Sequence, residues 1–142
     1  MPSDDASGAR LPAVDCAQLM DEIAVSLRPR ALERRLQLEV ICPPSCMLAI
    51  DAAVLRQLLL ELLGVAIDLA HAGSVIFVLR PGVGGITDFV ISNTTAGGEP
   101  PVQQALQTTL QRARSMAAAI GGRIVHKHDA GGASIFMLIL GA

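Results

Sequence analysis

Two carboxylate residues, Glu61 and Asp68, lie seven residues apart in the stretch LLLELLGVAIDLAHAG, residues 58–73. Seven residues are about two turns of an α-helix, so both side chains fall on one face of it. Carboxylates grouped in this way can ligate a divalent cation or act as a general acid and base. Charged residues on an amphipathic helix are also commonly just solvated, and the residues alone leave both interpretations open.

Two other pairs of residues have the chemistry of metal ligands. Cys42 and Cys46 bracket a Pro-Pro pair, and His126 and His128 share one face of a predicted strand. A structural zinc site needs four ligands, and the sequence offers no second pair at suitable spacing for either of them. We therefore expect no metal site, and we interpret the two histidines as a solvent-facing pair.

The composition excludes several kinds of partner. The chain has 142 residues and a net charge of -2, and its 11 Lys and Arg residues are scattered. We therefore expect no binding to nucleic acid, because there is no basic patch and, without Trp or Tyr, no set of rings for base stacking. The mean hydropathy is high, at +0.50, but Glu61 and Asp68 interrupt the longest apolar run. No membrane span is expected.

The N-terminus differs from the rest of the chain in composition. The segment MPSDDASGAR is polar and acidic, unlike a signal peptide, and we interpret residues 1–10 as a flexible leader. Residues 11–142 then form a single domain. Three cysteines, an odd number without a regular framework, indicate free thiols, so we expect a cytoplasmic protein.

The first part of the domain predicts a helix followed by two strands. Asp15 can cap the helix, and Pro29 bends or interrupts it before ALERR resumes it. Its apolar positions are Leu19, Ile23 and Leu27. Alternation in LQLEVIC, residues 36–42, predicts a half-buried strand, and CMLAI, residues 46–50, predicts a short second strand.

A longer helix follows, capped by Asp51 and ended by Gly73. Its core stripe consists of Leu55, Leu59, Leu62, Ala66, Leu69 and Ala70. After it, SVIFVLR and ITDFVIS are predicted strands joined by a PGVGG turn, and NTTAGGEPP is a predicted loop. The stretch VQQALQTTLQRARSMAAAI predicts another helix, closed by Gly121-Gly122. RIVHKH and ASIFMLIL predict a final hairpin.

This order of helices and strands predicts an α+β fold. Two strands follow each of the three helices, so the strands can form one mixed β-sheet. We expect a two-layer sandwich in which about three helices cover one face of that sheet.

The same order resembles the ATP-binding domain of sensor histidine kinases, which shares its fold with gyrase, Hsp90-type chaperones and mismatch-repair ATPases. One stretch, IDAAVLRQLLLELLGVAIDLAHAGSV, resembles the Asp, Leu-Arg-Gln and leucine-rich N box of these kinases. Another, SMAAAIGGRIVHKHDAGGASIFMLIL, is similar to their closing helix, Gly-Gly, hairpin and GGxSxFxL strand. The resemblance covers nearly the whole chain and implies the fold of a histidine kinase ATP-binding domain.

The N box of these kinases has an acidic residue or Asn and, four residues later, an Asn that holds Mg²⁺ on the ATP phosphates. By resemblance, Glu61 stands at the first of these positions and Val65 at the second. A valine has no oxygen to offer a hard cation. Asp68 stands where a Lys is frequent and would repel phosphate. The resemblance therefore implies that this face is a decayed nucleotide site.

The second motif of the family is Asp-x-Gly-x-Gly after a strand, and its Asp hydrogen-bonds the adenine amine. In ISNTTAGGE, Asn93 stands at the Asp position, Thr95 replaces the first Gly, and Gly97 is kept. Asn can still accept a hydrogen bond but carries no charge. The third motif is a glycine-rich lid, and the corresponding PPVQQALQTTLQRARSMAAA has no glycine. A phosphate cradle of backbone amides is therefore not expected.

The resemblance implies a role in two-component signalling, with two alternatives. The first is a pseudo-kinase domain with lost or weakened ATP binding and no cofactor. Its partner would be a kinase, a response regulator or a phosphotransfer protein. The second is the catalytic domain of a divergent histidine kinase, an enzyme that phosphorylates a histidine on a separate domain. It would bind ATP and Mg²⁺, with Glu61 and Asn93 in the family's roles.

Two predicted strands are apolar on both faces. In SVIFVLR, Val75 and Phe77 point to one face and Ile76 and Val78 to the other, and SIFMLIL has the same property. A sheet with helices on one face usually alternates apolar and polar residues. We predict that the face opposite the helices is covered by a second copy of this chain or by another domain. Alternatively, neighbouring side chains partly shield these central strands.

Overall fold

The computed structural model describes residues 12–82, 86–96, 100–128 and 133–141. The predicted leader, residues 1–10, lies outside the described residues. In chain order the elements are β1 (Ala13–Asp15), α1 (Cys16–Glu33), β2 (Gln37–Ile41), β3 (Met47–Ala49), α2 (Ala52–Leu69), β4 (Ala70–Pro81), β5 (Thr87–Ala96), α3 (Pro100–Ala119), β6 (Arg123–His128) and β7 (Ser134–Leu140). In the described part of the chain, no helix is both long and apolar enough to cross a membrane.

Aspartate side chains begin the first two helices, as predicted. The Asp15 carboxylate accepts a hydrogen bond from the Gln18 amide at 3.2 Å. The Asp51 carboxylate accepts hydrogen bonds from the amides of Ala53 and Val54, at 3.0 and 3.2 Å. These side chains satisfy N–H groups that have no partner within the first helical turn.

The main sheet has five strands in the order β2-β4-β5-β7-β6. Strand β2 runs parallel to β4, and the other neighbours are antiparallel. Strands β1 and β3 form a separate antiparallel pair. The predicted α+β fold with a mixed sheet is confirmed, although β1 was not among the predicted strands.

The three helices cover one face of this sheet. The predicted core stripe of α2 is buried in full, and it packs with the alternate strand residues Phe77, Phe89, Ile91 and Phe136. The residues between them in the strands, such as Ile76 and Val90, are only half-buried and face the other way. The prediction of a two-layer sandwich is therefore confirmed.

Three predicted boundaries were wrong, in α1, in β5 and at the end of α2. Helix α1 runs through Pro29 without interruption. Proline removes the hydrogen bond to the carbonyl of Val25, but that residue is 70% exposed, so water can satisfy the carbonyl. Strand β5 continues through the predicted loop as far as Ala96, because it pairs there with the beginning of β4 at Ala70.

The same pairing explains why α2 ends at Leu69 and not at Gly73. The chain passes directly into β4, and the Arg34 side chain replaces a local cap. Its guanidinium donates hydrogen bonds to the carbonyls of Ile67, Asp68 and Ala70, at 2.9–3.0 Å. Gly73 instead lies within β4 with φ at 89°, where the pairing with β5 changes register. Glycine is favoured where a bulge of this kind requires a positive φ, because it has no Cβ to clash with the backbone.

Candidate functional site

The face of α2 that carries Glu61, Val65 and Asp68 lines a cleft of about 310 Å³. Helix α1 closes one side of it with Arg30, and α3 closes the other side with Arg112. The three sequence-predicted residues of the N-box region are therefore brought together at one place. Neither arginine was among the predicted site residues.

Both oxygens of the Glu61 carboxylate have hydrogen-bond partners. Oε1 accepts from Nε of Arg112 at 2.8 Å, and Oε2 accepts from Nε2 of Gln57 at 2.9 Å. The Glu61 side chain is only 15% exposed. A half-shielded ion pair of this kind is stronger than one fully in solvent, and it ties α3 to α2.

The Asp68 carboxylate is held by Arg30 in a two-point contact. Nε of Arg30 donates to Oδ1 of Asp68 at 3.0 Å, and its Nη2 donates to Oδ2. Both side chains are nearly half exposed, so we expect this pair to contribute no more than about 1 kcal/mol to stability. Asp68 is therefore solvated, as one of the two interpretations proposed, but it also has a specific partner on α1.

Gly64 provides the space for that partner. It is buried in the middle of α2, and a Cβ added there would lie 3.2 Å from Nη1 of Arg30. This distance is tighter than an ordinary van der Waals contact, so even an alanine at this position would require the guanidinium to shift by a few tenths of an ångström. Val65 follows on the same face, is half-buried and packs against the hydrophobic core. It offers the cleft an apolar surface and no ligand atom.

Asn93 lies elsewhere, buried at 2% exposure between α2 and the sheet. Its Nδ2 donates to the carbonyl of Ala66 at 3.0 Å, and its Oδ1 accepts from the amide of Ser134 at 3.0 Å. The side-chain amide thus joins α2 to β7, and it is not among the residues that line the cleft. Gly97, the remaining predicted position, lies outside the described residues.

A polar contact continues from Asn93 towards the edge strand β6. The Ser134 hydroxyl lies 2.9 Å from Nε2 of His126, whose ring stacks on Phe136 with a centroid separation of 4.5 Å. His126 was predicted to face solvent together with His128. The prediction was wrong for His126, since its ring is half-buried on the helix side of the sheet, where it packs on Phe136.

The three cysteines lie near one another, where β1 and β3 meet. The Cys16 amide donates to the carbonyl of Cys46 at 3.0 Å, and these residues continue the register of the β1–β3 pair. Burial, followed by the proximity of Cys46, raises the pKa of the Cys16 thiol to about 12. Burial also raises the pKa of Cys42. All three are free thiols, and the described residues contain no group of three side chains suited to a metal ion.

Arg30, Arg34 and Arg112 are the residues of this region that sequence reasoning missed. The stretches RPRALERR and QRAR show that arginine is frequent there. The partners lie 38, 33 and 51 residues away in the chain, however, so no local spacing rule connects them.

Comparison with known proteins gives the fold its family context. No family model matches the chain, and no curated protein matches it. Among solved structures, the histidine kinase AdeS of Acinetobacter baumannii superposes with a TM-score of 0.75 at 19% identity, covering 96% of this chain and 70% of the solved AdeS chain. Full-length ShkA in complex with AMPPNP gives a TM-score of 0.77 at 24% identity, covering 93% of this chain and 31% of ShkA.

The histidine kinase ThkA adds an isolated domain and a complex. Its catalytic domain matches with a TM-score of 0.76 at 12% identity, over 91% of this chain and 94% of that domain. ThkA in complex with the response regulator TrrA matches with a TM-score of 0.69 at 12% identity, over 91% of this chain and 41% of the solved ThkA chain. This chain has the fold of a histidine kinase ATP-binding domain. The resemblance seen in its sequence is thereby confirmed at the level of the fold.

Proposed function

We propose that this chain is a histidine-kinase-type domain of two-component signalling in which nucleotide binding is lost or much weakened. In this proposal its role is to bind another protein of the signalling system. The observation that carries the proposal is the state of the cleft on α2. Its two carboxylates are engaged by arginines, and Val65 stands where the resembling kinases hold Mg²⁺.

The groups in this cleft do not fit a Mg²⁺ ion. Magnesium requires near-octahedral oxygen coordination, and it is usually bound through carboxylates together with phosphate and water. Glu61 is the only member of the N-box pair with an oxygen, and both of its oxygens already accept hydrogen bonds. A cation bound there would lie beside the guanidinium of Arg112, which repels it.

The position of Asn93 supports the same proposal. In the resembling kinases an Asp at this place bonds the adenine amine. Here the side-chain amide uses one donor and its acceptor within the protein, linking Ala66 to Ser134. A buried group with a structural role of this kind is costly to redirect towards a ligand, because its former partners would be left unsatisfied.

One solved complex supports the class of partner that we propose. ThkA, which shares the fold, is known in complex with a response regulator. We propose that this chain likewise contacts a kinase, a response regulator or a phosphotransfer protein. Isothermal titration of the chain against purified kinases, response regulators and phosphotransfer proteins of its own source tests this part of the proposal. Failure of every such protein to bind would contradict it.

The loss of nucleotide binding is tested by equilibrium titration with a fluorescent ATP analogue, with and without Mg²⁺. We expect no Mg²⁺-dependent binding in the micromolar range. The matched control is Glu61→Gln, which keeps the shape of the side chain and removes its charge. Micromolar binding that requires Mg²⁺, is displaced by unlabelled ATP and is weakened in Glu61→Gln would refute the proposal.

That result would favour the alternative of an active kinase domain. The specific observation on its side is that ShkA, with the same fold, is known in complex with AMPPNP. In this alternative the domain binds ATP and phosphorylates a histidine on a separate domain. The decisive assay adds ATP labelled in the γ-phosphate and a purified histidine-bearing domain, and follows acid-labile label on the latter.

A further inference from the structure

The sheet face opposite the helices is apolar in its middle and charged at its two edges. The strand registers align its residues in rows that run across all five strands. One row consists of Ile41, Val78, Val90, Met137 and Val125, and it is apolar throughout. The next row consists of Glu39, Ile76, Ser92, Ile135 and Lys127, and its two ends carry opposite charges.

These residues are available for contact. Ile41 is 53% exposed and Ile135 is 36% exposed, and the remaining apolar members of the two rows are half-buried between their neighbours. The three helices all pack on the other face. Glu39 and Lys127 are exposed, and within the described residues neither forms an ion pair.

We propose that this face is the interface of a symmetric homodimer, in which two copies pack sheet against sheet around a two-fold axis along β5. Strand β5 is the central strand of the five, so such an axis places β2 of one copy over β6 of the other. The interface is isologous, and each contact across it occurs twice. The two sheets lie about 10 Å apart, as in other aligned sheet packings.

This arrangement makes the face complementary to itself. In the apolar row, Ile41 faces the partner's Val125, and Val78 faces the partner's Met137. In the second row, Ile76 faces the partner's Ile135. At the two ends of that row, Glu39 faces the partner's Lys127. Opposite charges therefore meet at both rims, and apolar residues meet between them.

The charges also disfavour a second arrangement, in which the two-fold axis lies in the plane of the face, perpendicular to the strands and along the apolar row. An axis perpendicular to the strands would place β6 over β6 of the partner. Lys127 would then lie opposite the partner's Arg123, with like charges in contact. A third row consists of Arg80, Asp88, Ile139 and Arg123. The proposed dimer places Asp88 on the axis, opposite the partner's Asp88, but this carboxylate is already paired with Arg80 of its own chain at 3.0 Å.

The area of the face sets the expected affinity of the dimer. Five strands about 4.8 Å apart and five residues of about 3.3 Å each give roughly 400 Å² of flat surface per copy. Stable complexes bury about 800 Å² per partner, so this is a weak interface. We expect a concentration-dependent dimer with a dissociation constant on the order of 10–100 µM.

Sedimentation equilibrium on the full chain over a concentration range spanning that constant tests the proposal. Glu39→Lys and Lys127→Glu should each weaken dimerisation by at least about tenfold, because each change turns two attractive contacts into repulsive ones. The double variant, which exchanges the two charges, should restore dimerisation to within about threefold of the unmodified chain. The matched controls are Glu33→Lys and Arg114→Glu, equal charge changes at exposed positions of α1 and α3, which should have no effect.

Three results would overturn the proposal. The first is a chain that remains monomeric throughout the range. The second is a pair of single variants that behave like their matched controls. The third is a double variant that is no better than the singles. Far-UV circular dichroism on every variant confirms that the fold is retained.

Discussion

Replacing Asn93 with aspartate, the residue found at this place in the resembling kinases, tests whether the side chain has become a structural link. In the native protein it is 2% exposed and makes one hydrogen bond as donor and one as acceptor. The carboxylate of Asn93→Asp keeps the bond from the Ser134 amide. Its other oxygen, however, then faces the carbonyl oxygen of Ala66, so two acceptors oppose each other about 3 Å apart.

The magnitude follows from these contacts. Losing the bond to Ala66 costs about 1 kcal/mol, and burying a carboxylate without a cationic partner costs several more. We expect Asn93→Asp to lower the free energy of unfolding by about 3 kcal/mol at pH 7. This is a large part of the roughly 5–15 kcal/mol that a domain possesses.

The loss of stability in Asn93→Asp should increase with pH. Burial beside a carbonyl raises the folded-state pKa of the introduced carboxyl group above its unfolded value. The cost is therefore absent well below the unfolded pKa, where the group is protonated in both states, and it grows as the pH rises through the folded pKa. A protonated carboxyl group also donates to Ala66, so it reproduces both bonds of the amide.

Urea unfolding at pH 7 and pH 4.5 measures the free energy of unfolding of each variant. It is followed by far-UV circular dichroism, since the chain has no Trp or Tyr for fluorescence. The control is Asn93→Ala, which loses both bonds and should be destabilised equally at pH 7 and pH 4.5. A variant Asn93→Asp as stable as the native protein at pH 7, or equally destabilised at both pH values, would refute the structural role. Mg²⁺-dependent ATP binding gained by this substitution alone would contradict the proposed function.

Three further predictions concern the core, the cleft and the thiols. Leu59→Ala should lower the free energy of unfolding by about 2–5 kcal/mol, because Leu59 is fully buried in α2, and an unchanged urea midpoint would contradict this. Val65→Asn alone should not create Mg²⁺-dependent ATP binding, because Asp68 still repels phosphate and the region of the lid lacks glycine. A measurable affinity in that single variant, absent from the native chain, would be evidence against this account. Cys16 should resist alkylation in the folded protein at pH 8, since burial raises its thiol pKa to about 12. Because this pKa is higher in the folded than in the unfolded state, the contribution of Cys16 to the free energy of unfolding should decline from pH 9 towards pH 12. Rapid labelling of Cys16 without unfolding would contradict the assigned burial.

Local chemistry in the sequence was enough to predict most of the secondary structure. Asp15 and Asp51 begin helices because their side chains reach amides only two or three residues away. Likewise, buried and exposed residues alternate in β2 with a repeat of two, and the buried residues of α2 recur about every four residues. The prediction was wrong where pairing with a distant residue determines the secondary structure. Ala96, for example, remains in a strand because it pairs with Ala70.

The sequence by itself determined that Glu61, Val65 and Asp68 share one helical face, because spacing along a helix sets direction. It left open whether the two carboxylates were solvated or belonged to a site. Only the tertiary structure decided that each faces an arginine from a different helix, since Arg30 and Arg112 lie 38 and 51 residues from their partners. The same holds for Asn93, whose two contacts lie 27 and 41 residues away. Side-chain partners at such separations depend on how whole elements pack, and no periodicity in the chain specifies that packing.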